Sequence, residues 1–424
     1  MHNTLRAKFW AWLVVLTASM FFFYEFIQMN MFNSLAVSFE ETFHLSAMQV
    51  GMVSAFYFLS DSILLYPTGF ILDRFSSRNM IIVGMIMCIA GTVLITDASN
   101  SWFLVVARFL AGTASAFCLL SILRLASQWF PSHKMGQVTG IVVTIGMLGG
   151  TFSQVPLTLL IESQGWREAL RDVAWFGGAL LLLILILVKD APEGKRFAAL
   201  QSDSGQTKIP FWHSLYLMVK TKNNWLTGMF ICTMNLPIMI LAGLFGSQFM
   251  EQGYGFNAIQ ASTISMMIFI GTIIGSSAFG FVSDYMRNRR FPMISSAVVS
   301  LGIFAWIMYG PKLGYMGYVS LFLALGFFTG SQVIGYPVTQ ESNRSILVGS
   351  ALGFVSVLIM GLPALLQPLT GWLMQISWSG QMQNGAAIYS LADYQRGLLV
   401  LLLGFVISIA CAWALPETYG HKID

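Results

Sequence analysis

The sequence predicts an all-α membrane protein of twelve transmembrane helices arranged as two pseudo-symmetric six-helix bundles. Three observations lead there. Apolar runs long enough to cross a bilayer, about 20 residues each, recur along the whole chain. Only 9% of residues are charged and 56% are hydrophobic, whereas a soluble domain carries about 25% charge. Finally, a polar turn, Gly69-Phe-Ile-Leu-Asp73-Arg74-Phe-Ser-Ser-Arg78, returns 211 residues later in the 424-residue chain as Gly280-Phe-Val-Ser-Asp284-Tyr-Met-Arg287-Asn-Arg-Arg290. A chain made of two similar halves accounts for the echo.

The apolar runs place spans at 9–37, 47–72, 79–97, 101–127, 136–162, 168–188, 224–250, 258–283, 291–310, 314–340, 347–376 and 392–414. The first run lacks a small-residue cleavage site and reads as a retained span, not a secretory signal. Orientation follows from Lys and Arg in the connections. With both termini on the cytoplasmic side, the inner segments carry sixteen basic residues and the outer ones only Arg167, Arg171, Lys312 and Arg396. The expected location is therefore a multi-pass protein of a bacterial inner (plasma) membrane. Asp190–Asn223 is the one long polar connection, with Pro192, Gly194, Ser202, Ser204 and Gly205 in a linker composition. It divides the chain into an N-terminal bundle, 1–189, a linker, 190–223, and a C-terminal bundle, 224–424. Trp212–Lys220 inside it reads as an amphipathic helix on the membrane surface.

The two polar turns read as gating clasps built from Gly69, Asp73, Arg74 and Arg78 in one half and Gly280, Asp284 and Arg287 in the other. A second repeat lies deeper: Gln154-Val-Pro156-Leu157-Thr158 in span five matches Gln367-Pro368-Leu369-Thr370 in span eleven at an offset of about 212. Parallel repeats related by an axis along the membrane normal are the plan of one large group of secondary transporters.

Charges inside spans are costly, so each is a functional candidate. They are Glu25 in span one, Asp61 in span two, and Arg108 and Arg124 in span four. Glu25 and Arg108 fall at similar depth, where either a fixed structural bridge or a proton-exchanging carboxyl tuned by a guanidinium would fit. Asp61 is either a second titrating group or a helix-packing group. Arg124 either snorkels to the surface or meets an anionic substrate group. Neutral polar residues complete the candidate binding set: Tyr24, Gln28, Gln154, Asn235, Gln332, Tyr336 and Gln367. Helix–helix hydrogen bonding is their other common use. Pro237, Pro337 and Pro363 are candidate bends.

Cys88, Cys118, Cys232 and Cys411 lie in spans without metal-ligand spacing, and the histidines sit at termini, loops or span edges. No metal site, cofactor or enzymatic constellation is expected, nor any nucleic-acid partner. The expected partners are a small molecule and the bilayer, with the chain a monomer and a proton gradient as the energy source.

These residues resemble the major facilitator superfamily. The Gly69–Arg78 turn is similar to its signature between spans two and three, and Arg108-x-x-x-Gly112-x-x-x-Ala116 to its span-four motif, in which an arginine near an acidic residue of span one is tied to proton coupling. Trp129-Phe130-Pro131, Gly165-Trp166-Arg167 and Pro416-Glu417-Thr418-x-Gly420 are similar to recurrent phrases of the family. Gly146-Met147-Leu148-Gly149-Gly150 lacks the glycine-proline pair of drug-exporting members, which argues for import. The chain also looks like uptake carriers of intracellular bacteria for amino acids and nucleosides. The resemblance implies alternating access with proton-coupled import of a small polar metabolite, an amino acid first and an organic anion second. The alternative is a proton-driven exporter of drugs or siderophore-like compounds.

Overall fold

The computed structural model describes residues 2–131, 134–191, 211–344, 347–383 and 385–419, with the side chains of 2–7, 69, 70, 73, 74 and 211 left outside that description. Among the described residues, twelve helices are long and apolar enough to cross a membrane: Lys8–Asn30, Ala47–Thr68, Ser77–Thr96, Ser101–Trp129, Met135–Gln164, Trp166–Leu187, Lys222–Gly253, Ala258–Met286, Arg290–Tyr309, Tyr315–Glu341, Val348–Gln375 and Leu391–Ala414. Their order matches the expected twelve. Polar caps start several of them where the apolar run begins. Ser46 and Gln49 form a capping box on span two, Asn257 and Gln260 another on span eight, and Ser390 and Asp393 a third on span twelve. Each satisfies backbone donors that lipid could not.

Four spans are irregular near mid-height. Span one stops at Asn30 and resumes as a second helix, Phe32–Phe43, which carries it well beyond the predicted end at residue 37. Span five breaks at Ser153–Gln154 before Val155–Gln164. Span seven turns into a π-helix from Pro237 to Phe245, and span ten into a 3-10 turn from Gly330 to Ile334. Proline explains the start of the π segment, since Pro237 offers no N–H to the α ladder. Pro337 lies in the first turn of the helix that follows the 3-10 segment, but Pro363 and Pro368 sit inside an unbroken span eleven. Non-helical backbone at this depth is tolerated only where protein or water satisfies it, so the four breaks mark the centre of the molecule.

The bundles meet along spans two and eleven, which run antiparallel at near-backbone contact. A β-carbon at Gly51 would come 2.7 Å from the Gln367 carbonyl oxygen, and one at Gly371 would come 2.4 Å from that of Ala47. Spans one and seven pack through Phe32–Phe43 and Pro237–Gln248, on the side away from the chain termini. That opposite face is roofed by a short hairpin between spans eleven and twelve, with Met382 paired to Ala387. Towards the terminal side, Asn235 and Tyr336 stay partly accessible and Gln340 is exposed. The molecule is closed on the face opposite its termini.

The clasps differ from expectation. The side chains of Asp73 and Arg74, and Gly69, lie outside the described residues. Arg78 turns to the end of span six, its backbone N–H 2.9 Å from Asp190 Oδ1 and its guanidinium 2.9 Å from Leu185 O. In the second half Asp284 pairs with Arg289 at 2.6 Å, and Arg289 also grips Glu341 of span ten at 2.8 Å. Arg287, the expected partner, is exposed and takes a left-handed conformation that ends span eight. The reversal of the chain at Arg287 points its side chain away and brings Arg289 back over Asp284. Glu417 closes the same knot by accepting the backbone N–H groups of Arg289 and Arg290, each at 2.8 Å. Both clasps, as far as they are described, tie helices within one bundle.

Candidate functional site

Three of the four in-span charges converge. Glu25 and Asp61 are each 1% exposed and Arg108 is 0% exposed. Glu25 interacts electrostatically with both Asp61 and Arg108, and Ser115 of span four stands between the carboxyls. The Ser115 hydroxyl lies 3.4 Å from Asp61 Oδ2. One oxygen of each carboxyl has no hydrogen-bond partner.

Arg108 does not close an ion pair within 4 Å on either carboxyl. Its guanidinium donates to Gln28 O at 2.5 Å and reaches Met29 O at 3.4 Å and Ser54 Oγ at 3.5 Å. The rings of Phe32 and Tyr57 sandwich it, 4.4 and 4.6 Å from their centroids. The break in span one dictates this arrangement. Where the helix stops at Asn30, its last carbonyls lose their normal donors, and a guanidinium is suited to several acceptors at once. Arg108 therefore supports the break while lending its charge to the carboxyls from a distance.

A second polar layer seals the bundles just beyond. Asn33 donates to Gln154 Oε1 at 2.6 Å and to Ser247 Oγ at 2.8 Å, and accepts the Ser247 N–H at 2.9 Å. Gln154 donates to Ala242 O at 3.1 Å. From span eleven, Gln367 donates to Met239 O at 2.8 Å. All of these polar groups are buried, and every bond but one to neighbouring Ser153 crosses between helices.

The remaining expected residues fall elsewhere. Tyr24 and Gln28 do not line the centre. Both bond Thr92 of span three, at 3.0 and 2.8 Å, and a β-carbon at Gly177 of span six would stand 2.6 Å from the Tyr24 ring. Their shared helix face turns into the N-terminal bundle, since four residues make about one turn. Arg124 is half-buried in the terminal half of span four, apart from the charge cluster. Asn235 sits just before the π segment. Gln332 is buried within the 3-10 turn, whose tighter winding removes it from the face shared by Tyr336 and Gln340. Ser115, Asn33 and Ser247 carry much of the geometry. An in-span amide such as Asn33 is a legible signal; lone serines in spans give none.

The comparisons agree with this architecture. A family model described as Major Facilitator Superfamily matches residues 17–368. An uncharacterized transporter, YybO, of Bacillus subtilis (strain 168) is 22% identical over 408 residues, covering 90% of this chain and 91% of that protein. The hexuronate transporter of the same organism is 23% identical, covering 84% of this chain and 87% of its own. Among solved structures, the crystal structure of D-xylose-proton symporter superposes with a TM-score of 0.76 at 14% identity, covering 97% of this chain and 99% of that one.

Proposed function

The chain belongs to the major facilitator superfamily of secondary transporters, and from that premise we propose that it couples proton entry to import of a small polar metabolite by alternating access. One observation carries the coupling: two carboxyls, Glu25 and Asp61, are buried together beside one cation, Arg108, whose Nη1 and Nη2 turn to backbone carbonyls and Ser54 and to neither carboxyl. Two ionised carboxylates there would leave an uncompensated charge, which costs several kcal/mol. The cluster in this conformation holds at least one proton, and the conformational change hands that proton to the other side. Ser115 offers the hydroxyl between the two carboxyls, so the proton is shared by the pair and belongs to neither alone.

The metabolite is an amino acid or an organic anion. The sugar-acid relative, a hexuronate transporter, favours a carboxylate-bearing substrate, and we assign Arg124, half-buried in the terminal half of span four, as its partner. The test uses purified protein in liposomes. Glu25→Gln and Asp61→Asn should each abolish accumulation driven by a pH gradient while leaving exchange of labelled for unlabelled substrate near parental rates. Proton-driven accumulation that survives both substitutions would refute the reading.

A further inference from the structure

Beyond the predicted end of span one lies a carboxyl that proton coupling at Glu25 and Asp61 does not use. Glu40, on the Phe32–Phe43 helix, is 0% exposed, and neither of its oxygens has a hydrogen-bond partner. Asn33, Ala36 and Glu40 form one buried stripe on that helix, at spacings of three and four residues. The stripe faces span seven of the other bundle, where Asn33 bonds Ser247 and Glu40 meets Gln248. Gln248 is 1% exposed and its amide nitrogen and oxygen also lack hydrogen-bond partners. Tyr389 and Tyr394 complete the enclosure from the segment beneath the hairpin, both coupled electrostatically to Glu40. Tyr389 meets the start of span two, its hydroxyl accepting the Ala47 N–H at 3.2 Å. Glu40 is thus boxed in by both bundles on the closed face.

We propose that Glu40 is a second proton-binding site, whose carboxyl must be neutral for the two bundles to close around it. The groups facing it offer no positive charge. Glu41 on its own helix adds a negative one. Gln248 of span seven is neutral, and Tyr389 and Tyr394 bring hydroxyls, with Asp393 and Glu251 acting on those tyrosines from behind. His44, four residues on at the end of the same helix, is exposed, with its ring beside Gly385 of the hairpin and lining one pocket with Tyr389; it is not among the groups that act on Glu40. An ionised Glu40 would therefore be buried with the Gln248 amide beside it but no opposite charge, and opening the face to water removes that penalty.

The closed form thus binds a proton that the open form releases. Well below the ordinary carboxyl range the group is protonated in both forms, and once the pH is high enough to ionise it even when buried it is ionised in both, so the pH dependence falls between these limits. There the open-to-closed ratio rises by up to about tenfold per pH unit, as one linked proton requires. This reading stands whether or not Glu25 and Asp61 couple transport.

Spin labels at Ser99→Cys and Lys312→Cys, on exposed loops of the two bundles at the closed face, report the opening as a distance. The four native cysteines are buried, and protein without added cysteines gives the background. In lipid nanodiscs the long-distance fraction should rise between pH 5 and 8 and level off above. Glu40→Gln should remove one proton's share of the slope, leaving the face closed at pH 8, while Glu40→Asp keeps the slope. A Glu25→Gln, Asp61→Asn double variant should still show the Glu40 component. A flat parental curve across this range, or a Glu40→Gln curve that follows the parent, would overturn the proposal.

Discussion

Gln154 and Gln367 occupy matching places in the two halves, and both donate to backbone carbonyls of one π-helical segment. Gln154 reaches Ala242 at 3.1 Å and Gln367 reaches Met239 at 2.8 Å. The π-helix widens the ladder and leaves carbonyls short of donors. The repeat thus supplies two amides to mend the one span that most departs from regular geometry. Gln154 does this across the bundle boundary and Gln367 from within the C-terminal bundle.

Removing either amide should loosen the closed face. A buried neutral hydrogen bond contributes about 1 kcal/mol, so Gln154→Ala should raise the open-to-closed ratio roughly fivefold. Gln367→Ala should act less on closure, because its bond stays inside one bundle, and more on thermal stability. The two share one segment, so the double variant should depart from additivity. Spin-label distances across the closed face and melting in detergent separate the two effects.

Arg108 offers a test of charge against shape. If position and positive charge were enough, lysine would substitute. Its ammonium cannot span the Gln28 and Met29 carbonyls while stacked between Phe32 and Tyr57. Arg108→Lys should therefore cost about 1.5–3 kcal/mol, the range for one hydrogen bond to a charged group. Melting temperature reads the loss, and a variant as stable as the parent would show that charge alone suffices.

The twelve spans were legible because lipid imposes a length and an apolarity that few other constraints mimic. Glu25, Asp61 and Arg108 were legible because ionised groups in spans are rare; that Asp61 joins the other two was not, since depth along the helices relates only Glu25 and Arg108. Which way a polar residue faces was not legible. Tyr24 and Gln28 belong to the same helix as Glu25, and only about 60–100° of rotation separates packing from the cluster. Glu40 was hidden because the break at Met31 reset the helix and carried it past the predicted end. Arg289 was hidden because a left-handed Arg287 reverses the chain, a conformation an arginine does not advertise.

The clasp in the second half should prove unequal. Asp284 is 71% exposed at its side chain and Glu341 only 12%, though both bond Arg289. Exposed pairs contribute little because water and salt screen them. Asp284→Asn should therefore shift stability by less than about 1 kcal/mol. Glu341→Gln should cost more, since it leaves the Arg289 guanidinium, 10% exposed, short of its less screened partner. Added salt should erase the first effect and spare much of the second, as denaturation in detergent at low and high ionic strength would show.

Spans two and eleven supply the final test, because their contact varies in tightness along its length. At Gly371 a β-carbon would stand 2.4 Å from the Ala47 carbonyl oxygen, with the next two nearest atoms also backbone. No side chain can swing aside there, so Gly371→Ala must push one helix off the other. At Gly361 the nearest atom would be the Ser62 hydroxyl at 3.4 Å, an ordinary distance. Overpacking of this kind costs about 1–3 kcal/mol. Since Gly371 lies on the closed face, the cost falls on the closed form and favours the one open to that side. Gly371→Ala should raise the open-to-closed ratio by about five- to hundredfold, while Gly361→Ala leaves it near parental. If both alanines behave alike, the closed face is not held by the proximity of these two backbones, and the seal formed by Asn33, Gln154 and Ser247 would have to bear the closure without them.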